Sequence, residues 1–358
     1  MLRRVPVWVW RTLMAVVGPK ELVHLNENPL AGLVHHDDID FVGDGIRAHR
    51  LDVIHPDRRR AGSESRPAAT TSLPVYVYFH GGGWTSGDKA SLTKYCATQA
   101  LSGMVVVNVN YRMATRLNNM GHMLHDANAA LAWVRANIAR FGGDPDRIVL
   151  GGDSAGGQIA SLLAATESQP KLASHFAIVP AVGADSIRGL VLHCSALDFS
   201  VNFRRGFVLS HNFIRMLIPG RGRYGADGLE LSRAQRAGAL RRAARFLSPI
   251  EWLDPKFPAV FISTSERDFF YGANLNFMAR LRRHEVPVDS LVYAASNANT
   301  EHTWQQNYRY PESQEVYRRL QAFVQRVAAP HTALLPLPLP SLPSPLPSLP
   351  APTSAIAA

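Results

Sequence analysis

The segment Gly152-Asp153-Ser154-Ala155-Gly156 constrains the fold of this chain more than any other feature of its sequence. It follows the apolar, β-branched run 148–150 and precedes a helical pattern, so a strand, a tight turn and a helix meet at Ser154. A turn this tight requires very small residues on both sides of the serine, which accounts for the two glycines. It raises the serine hydroxyl above the sheet edge and directs a helix N-terminus at the same point, where negative charge is stabilised. The pattern predicts that Ser154 is a nucleophile.

A second glycine motif lies upstream, where residues 80–84 (HGGGW) directly follow the apolar run 75–79. Three successive glycines allow the backbone to curl until neighbouring N–H groups point at one spot. We expect the N–H groups of Gly82, Gly83 and Ala155 to form an oxyanion hole beside the nucleophile.

The other residues of this loop have predicted supporting roles. We expect His80 to brace the loop together with Gly81, through hydrogen bonds and without transferring a proton. Trp84, the large side chain directly after the glycines, is expected to line the substrate pocket.

Short β-branched runs alternate with helical patterns through most of the chain. This alternation predicts an α/β fold with a mostly parallel, twisted sheet and helices on both faces. The predicted strands are 75–79, 104–109, 148–150, 190–193, 260–263 and 290–293, and the predicted helices are 123–140, 155–166, 272–285 and 312–328.

With both glycine motifs, the chain resembles the hormone-sensitive-lipase-like branch of the α/β-hydrolases, which includes many microbial carboxylesterases. That branch combines an HGGG loop with a GDSAGG elbow, found here at 80–83 and 152–157. The resemblance extends through Asn110-Tyr111-Arg112, Asp126 and Ala132-Trp133 into the C-terminal third. It implies the α/β-hydrolase fold with a helical cap, hydrolysis of short- to medium-chain carboxylic esters, and neither cofactor nor metal.

The resemblance also implies a catalytic triad in the chain order serine, acid, histidine. Asp268 follows the predicted strand 260–263 and matches the family's acid, which holds the imidazole tautomer and stabilises the imidazolium. His302 follows the last predicted strand and matches the general base.

The sequence contains other acids and histidines that could belong to a triad. Asp198 also follows a strand and is an alternative acid, and Glu266 is a further alternative. Asp153 lies inside the elbow and is expected to be structural. The following histidines have neither the chain order nor the strand context of a triad, nor a metal-ligand spacing: His35, His36, His122, His125 and His284.

The chain departs from the family pattern in one loop. The family continues Tyr-Arg with Leu-Ala-Pro-Glu, whereas residues 111–116 here are YRMATR. That loop supports the wall of the active site, so the shape of the pocket beside it is expected to differ while the triad is unaffected.

Composition shifts divide the chain into segments. We predict an N-terminal cap or lid region at 1–54, a polar connector at 55–72 and a catalytic domain at 73–329, with a cap insertion at 199–250. The last segment, 330–358, is rich in proline and is predicted to be disordered.

Basic residues are concentrated in two of these segments. The net charge is +10, from 38 Lys and Arg against 28 Asp and Glu. Residues 199–250 contain ten arginines against two acids, and residues 1–20 contain four basic residues and no acid. We therefore hypothesise that both segments face an anionic membrane, the alternative being a solvated basic surface without a partner. The expected apolar insertions are Trp8, Trp10, Phe203, Phe207 and Phe213.

Several classes of protein are excluded or disfavoured. No nucleic-acid-binding motif accompanies the basic charge, so no nucleic-acid partner is expected. Cys96 and Cys194 are the only cysteines, which excludes a disulfide framework and a cysteine-rich zinc site. No apolar run reaches the length of a membrane span and no clear secretory signal is found, so a cytoplasmic protein, with membrane association as a hypothesis, is expected.

Two functional alternatives stay open beside the serine esterase. The same triad serves amide-cleaving relatives of the arylacetamide deacetylase or formamidase type. Some proteins of this fold are non-catalytic ligand receptors, although these commonly lose a triad residue. The acyl and alcohol groups of the substrate and the oligomeric state do not follow from the sequence.

Overall fold

A computed structural model describes residues 5–57, 72–218 and 232–330 of the 358-residue chain. The proline-rich tail from 331, most of the polar connector and residues 219–231 of the cap insertion lie outside the described residues. In the described part, eight strands form one sheet in the order β1-β2-β4-β3-β5-β6-β7-β8. The strands are β1 (Leu33–Asp40), β2 (Arg50–Pro56), β3 (Leu73–Phe79), β4 (Val105–Val109), β5 (Gly143–Asp153), β6 (Ile187–His193), β7 (Ala259–Ser265) and β8 (Val288–Tyr293). The α-helices are α1 (Val7–Asn26), α2 (Thr93–Leu101), α3 (Met120–Asn137), α4 (Ala155–Ser168), α5 (Pro170–His175), α6 (His211–Leu217), α7 (Arg233–Phe246), α8 (Tyr271–Arg283) and α9 (Pro311–Val327).

The sheet is mostly parallel, as predicted. Strand β2 pairs antiparallel with both of its neighbours, and the strand pairs from β4 to β8 are parallel. The register places Phe79 beside Gly152 and Asp153 beside His193. Because parallel strands end at the same sheet edge, the loops that follow β3, β5 and β6 leave the sheet next to one another.

Alternate side chains of the central strands enter two hydrophobic layers. On β3, Val75, Val77 and Phe79 belong to the layer that also contains side chains of α3, α4 and α8, while Tyr76 and Tyr78 belong to the opposite layer with side chains of α2 and α9. This alternation is the period-two pattern of a strand buried on both sides. The predicted α/β fold with helices on both faces is confirmed.

The N-terminal boundary of the predicted cap is wrong. The predicted cap or lid covers residues 1–54, but β1 and most of β2 lie within that range and belong to the sheet. The sequence of β1, LVHHDDID, is too polar to indicate a strand. It forms the sheet edge, where its side chains are mostly half-buried or exposed and polar residues are tolerated.

Helix α1 precedes the sheet strands and is held against the domain at its N-terminal end. Val5 N–H donates to Val208 O at 2.8 Å, and Ser210 N–H donates to Val5 O at 3.2 Å. The Arg11 guanidinium donates to Ala114 O at 2.6 Å. Across the described ranges, no helix has both the length and the apolar character of a membrane span.

Candidate active site

The elbow between β5 and α4 has the backbone geometry that its glycines predict. Ser154 has φ +52° and ψ −114°, a strained conformation for a residue other than glycine. Its N–H donates to His193 O at 2.9 Å. A Cβ on Gly156 would lie 2.0 Å from Phe79 O, so this position requires glycine. The strain at Ser154 is therefore held by the packing of α4 against the end of β3.

The structure brings Ser154, His302 and Asp268 together in one hydrogen-bonded chain. His302 Nε2 lies 3.0 Å from Ser154 Oγ, and His302 Nδ1 lies 2.7 Å from Asp268 Oδ1. Asp268 Oδ1 also accepts from the backbone N–H of Phe270 at 3.0 Å, and its Oδ2 accepts from Thr264 Oγ1 at 3.1 Å. The buried carboxylate is thus fixed on both oxygens, so it can orient the imidazole. This is the geometry of a nucleophile, a base and an orienting acid.

The glycine loop (residues 80–84) borders the same site. His80 Nδ1 lies 2.7 Å from Gly81 O, and the His80 ring stacks on Tyr111 with centroids 4.6 Å apart. Tyr111 donates its hydroxyl to His80 O at 2.6 Å. In the described structure the N–H groups of Gly82 and Gly83 donate to no other group, and they remain available to an oxyanion. These contacts hold His80 against Tyr111 and against the next residue of the loop.

Asp153 connects the elbow to both neighbouring loops. One carboxylate oxygen accepts from the Tyr78 hydroxyl at 2.7 Å and from Gly81 N–H at 3.0 Å. The other accepts from Gln306 Nε2 at 2.9 Å, four residues beyond His302. Burial raises the pKa of Asp153, and the donated hydrogen bonds, chiefly that of Tyr78, oppose this shift. Asp153 thus joins the elbow to both loops through hydrogen bonds, whereas Gln306 has no signature in the sequence.

His193 supports the elbow from below and was not singled out from the sequence. Its ring nitrogens lie 2.6 Å from Ser263 Oγ and 2.8 Å from the Tyr95 hydroxyl. Burial lowers the pKa of His193 from 6.5 to about 3, so the ring is neutral at physiological pH. Because its neutral ring is held between two hydroxyl groups, His193 is fixed in place, and its backbone carbonyl accepts the hydrogen bond from Ser154 N–H.

A cavity of about 310 Å³ opens onto Ser154 and His302. One wall is α1, which contributes Trp10, Met14, Gly18 and Leu25. Trp10 and Met14 are four residues apart, as are Met14 and Gly18, so they lie on one helix face. The remaining lining residues include His80, Gly81, Gly82, Asp88, Leu92, Asp153, Phe269 and Gln306.

Helix α1 also covers the glycine loop. Trp10 Nε1 donates to Gly82 O at 3.3 Å, and a Cβ on Gly83 would lie 2.6 Å from that indole nitrogen. Arg11 binds Ala114 O in the loop where the sequence departs from the family pattern, and Ala114 N–H donates to Trp84 O at 2.7 Å. The unusual loop therefore anchors the helix that forms the pocket wall.

The prediction that Trp84 lines the pocket is wrong for this cavity. Trp84 is 1% exposed and packs against the rings of Phe199 and Phe213. Its Nε1 donates to Gln158 Oε1 at 2.6 Å. The backbone of Trp84 has φ +64°, which turns the indole into the core. There Gln158 on α4 accepts the hydrogen bond from the indole N–H.

The cap insertion contributes no lining residue of this cavity within its described ranges, 199–218 and 232–250. Phe213, expected to insert into a membrane, is completely buried, and Phe207 packs against Phe270. Phe203 lies against His211 with Arg241 above its ring. The aromatic residues of the cap are therefore core or partly buried residues, because the segment packs on α4 and α8 rather than projecting from them.

Neither alternative acid contacts His302 in the described structure. Asp198 accepts from Ser200 N–H at 2.8 Å and from Asn276 Nδ2 at 2.6 Å, and it caps a short 3₁₀ helix. Glu266 accepts from Ala295 N–H at 2.8 Å near the surface. Both carboxylates are engaged elsewhere, and of the three candidate acids it is Asp268 that is hydrogen-bonded to His302.

Within the described residues, one cluster combines three side chains of metal-ligand type, namely Cys194, Asp268 and His302. Burial, followed by the nearby Asp268 carboxylate, raises the pKa of Cys194 well above its ordinary value. Zinc binds the thiolate and not the thiol. A buried, protonated thiol beside an acid and a base that already bind each other is poorly suited to a metal.

Replacing Gly82 by alanine tests the glycine loop. Gly82 has φ +123°, and a Cβ there would lie 2.0 Å from Ser86 O, so alanine must shift the loop. We expect kcat/KM for an ester to fall about 10²–10³-fold, the effect of losing one oxyanion donor. Gly206→Ala is the matched control, since Gly206 also has positive φ but nothing within 4 Å of a Cβ. Equal activity of the two variants would contradict a role for this loop in turnover.

Comparisons with known proteins place this geometry in a family. The profile described as alpha/beta hydrolase fold matches residues 76–300. A probable carboxylic ester hydrolase, LipM of Mycobacterium tuberculosis, is 36% identical over 144 residues, which are 40% of this chain and 31% of the relative. The carboxylesterase NlhH of the same organism is 41% identical over 99 residues, 27% of this chain and 31% of the relative. The matched segments therefore span less than a third of either curated relative.

Solved structures agree in fold. Esterase B of Lactobacillus rhamnosis superposes with a TM-score of 0.72 at 18% identity, covering 89% of this chain and 94% of that one. A bacterial heroin esterase superposes with a TM-score of 0.61 at 21% identity, covering 92% and 95%. The profile match spans more than half of the chain, and with the HGGG and GDSAGG motifs it shows that the protein belongs to the alpha/beta hydrolase fold family, in its hormone-sensitive-lipase-like branch.

Proposed function

We propose that this protein is a serine carboxylesterase that cleaves short- to medium-chain esters through an acyl-enzyme on Ser154. The observation that carries the proposal is the unbroken chain from Ser154 Oγ through His302 to Asp268, at 3.0 and 2.7 Å. The glycine loop with free N–H groups beside it supplies the site for the oxyanion. The relatives named as esterases support the same reaction class.

The reaction proceeds by two acyl transfers. Ser154 Oγ attacks the ester carbonyl while His302 Nε2 accepts its proton, and Asp268 stabilises the resulting imidazolium through Nδ1–H. Gly82, Gly83 and Ala155 donate N–H groups to the oxyanion; Ala155 is the first residue of α4, where N–H groups lack intrahelical partners.

The tetrahedral intermediate then collapses. The C–O bond to the alcohol breaks, and His302 returns the proton to the leaving oxygen. Water, deprotonated by the same imidazole, attacks the acyl-enzyme, and its second tetrahedral intermediate releases the acid and restores the Ser154 hydroxyl.

The cavity supports short to medium acyl groups. Its volume of about 310 Å³ is at the lower end of the range for small-molecule sites. Its apolar lining from Trp10, Met14, Leu25, Leu92 and Phe269 suits an alkyl chain. Asp88 and Gln306 add polar groups at the wall, which favours a substrate with polar atoms outside the acyl chain.

Hydrolysis of p-nitrophenyl esters from acetyl to dodecanoyl, set against the matching p-nitroanilides, tests the proposal. We expect the highest kcat/KM on an ester of short or medium chain length. Faster cleavage of the anilides would favour an amide-cleaving enzyme. Binding of esters without turnover would favour a receptor of the same fold.

Enlarging Gly18 tests the pocket wall. Gly18 lines the cavity, and a Cβ there meets nothing within 4 Å, so a leucine side chain has room to enter the cavity. We expect Gly18→Leu to lower kcat/KM for octanoyl relative to acetyl esters about tenfold or more, because the side chain occupies space that the longer chain needs. Gly238→Leu, at a helical glycine of α7 outside the cavity, is the control. An unchanged chain-length profile for Gly18→Leu would contradict this assignment of the acyl site.

A further inference from the structure

Helix α1 is apolar on two faces, and only one of them is covered by the described residues. The inner face, with Trp10, Met14 and Gly18, lines the cavity beside Ser154. The outer face (Trp8, Leu13, Val16, Leu22 and Val23) is 70%, 51%, 63%, 38% and 67% exposed, in that order. A surface helix ordinarily has a polar outer side, so an apolar one indicates that something else covers it.

Helix α1 carries more basic than acidic residues. It contains Arg11 and Lys20 and one acidic residue, Glu21. The backbone bonds from Val5 to 208 and 210 place the N-terminal end of α1 beside the segment that carries the exposed Arg204 and Arg205. The tryptophan end of the apolar face is therefore bordered by basic residues from two parts of the chain.

Helices that lie in the interface of an anionic bilayer present tryptophan and aliphatic residues on one side and basic residues at the border of that side. The apolar side chains enter the acyl boundary, and the arginines lie at the level of the phosphate groups. Of the aromatic insertions expected from the sequence, Trp8 alone lies on this outer face, since Trp10 faces the cavity and Phe213 lies in the core.

We propose that the outer face of α1 docks on the surface of an anionic lipid bilayer. The opposite side of the same helix is a wall of the active-site cavity, so docking separates the lipid surface from that cavity by α1 alone. This position suits the capture of sparingly soluble esters from the membrane. The docking itself does not depend on the proposed esterase activity.

Sedimentation with vesicles tests the proposal on the full chain. Vesicles of phosphatidylcholine alone are compared with vesicles that also contain phosphatidylglycerol, at low and high salt. The face variant is Trp8→Gln, Val16→Gln and Val23→Gln together; glutamine keeps the helix propensity of these positions. The control is Leu101→Gln with Val179→Gln, two exposed apolar residues that precede β4 and β6 and so lie at the opposite edge of the sheet.

We expect the wild type and the control to sediment with anionic vesicles and to be released by salt. The face variant should partition about tenfold less, with an unchanged thermal unfolding curve and unchanged hydrolysis of soluble esters. These last two readings separate loss of docking from misfolding and from failure of the proposed function.

Three results would overturn the proposal. Equal sedimentation of face variant and wild type would exclude the outer face. A wild type that is dimeric and becomes monomeric in the face variant, without binding vesicles, would assign the face to a second copy of the chain. Binding that requires removal of residues 331–358 would assign the face to that segment.

Discussion

Ser154→Ala is expected to abolish ester hydrolysis, with a fall in kcat of about 10⁴–10⁶-fold. The Ser154 hydroxyl is the group that His302 Nε2 faces at 3.0 Å, and the methyl group of alanine can neither donate that proton nor form an ester. The activity that remains comes from binding and the oxyanion site alone. The comparison is made with the acyl group that the wild type cleaves best.

Ser161→Ala is the matched control for this loss. Ser161 is a buried serine on the same helix, and its hydroxyl donates to Gly157 O at 2.7 Å away from the cavity. It should keep nearly full activity. A serine-directed fluorophosphonate should add one label to wild type and control and none to Ser154→Ala, as measured by intact-protein mass. Turnover or labelling that survives Ser154→Ala would identify another nucleophile.

Asp268→Asn is expected to lower kcat by about 10⁴-fold while the protein stays folded. The asparagine amide donates a hydrogen bond to His302 Nδ1 where the carboxylate accepts one. The ring then carries its proton on Nε2, facing Ser154, and cannot accept the serine proton. Substrate binding does not use this carboxylate, so KM should change little.

Asp198→Asn is the control for the acid, since Asp198 is the other candidate that the sequence offers. Its carboxylate contacts Ser200 and Asn276, and its substitution should leave kcat within a few-fold of wild type. Thermal unfolding of both variants separates lost catalysis from lost structure. Loss of activity in Asp198→Asn with retention in Asp268→Asn would reverse the assignment.

The nucleophile and the glycine loop follow from local sequence because the backbone there admits few residues. A Cβ at Gly82 or Gly156 would lie 2.0 Å from a backbone oxygen, so only glycine is possible at either position. Asp268 and His302 lie in no such local pattern. They are predicted because the resemblance to the family implies the chain order serine, acid, histidine, and the ends of parallel strands bring these loops to one edge of the sheet.

Other parts of the site have no comparable sequence signal. Gln306 and His193 act through hydrogen bonds to residues far away in the chain, and such bonds leave no periodicity or spacing. Trp84 follows the glycines in the sequence, yet its backbone conformation turns it into the core. Strand β1 is polar because it lies at the sheet edge, and its pattern resembles that of a loop.

The local sequence indicates the fold family, the candidate nucleophile and the glycine loop, and the resemblance implies the order of the triad. The wall of the pocket follows from the tertiary structure alone. Helix α1 carries tryptophan and aliphatic residues around most of its circumference, so its pattern does not indicate which face packs inward. The face with Trp10 and Gly18 packs inward because the glycine loop and residues 111–116 offer carbonyl groups that bind Trp10 and Arg11. Those contacts join residues about 70 to 100 positions apart, and they exist only after the sheet has formed.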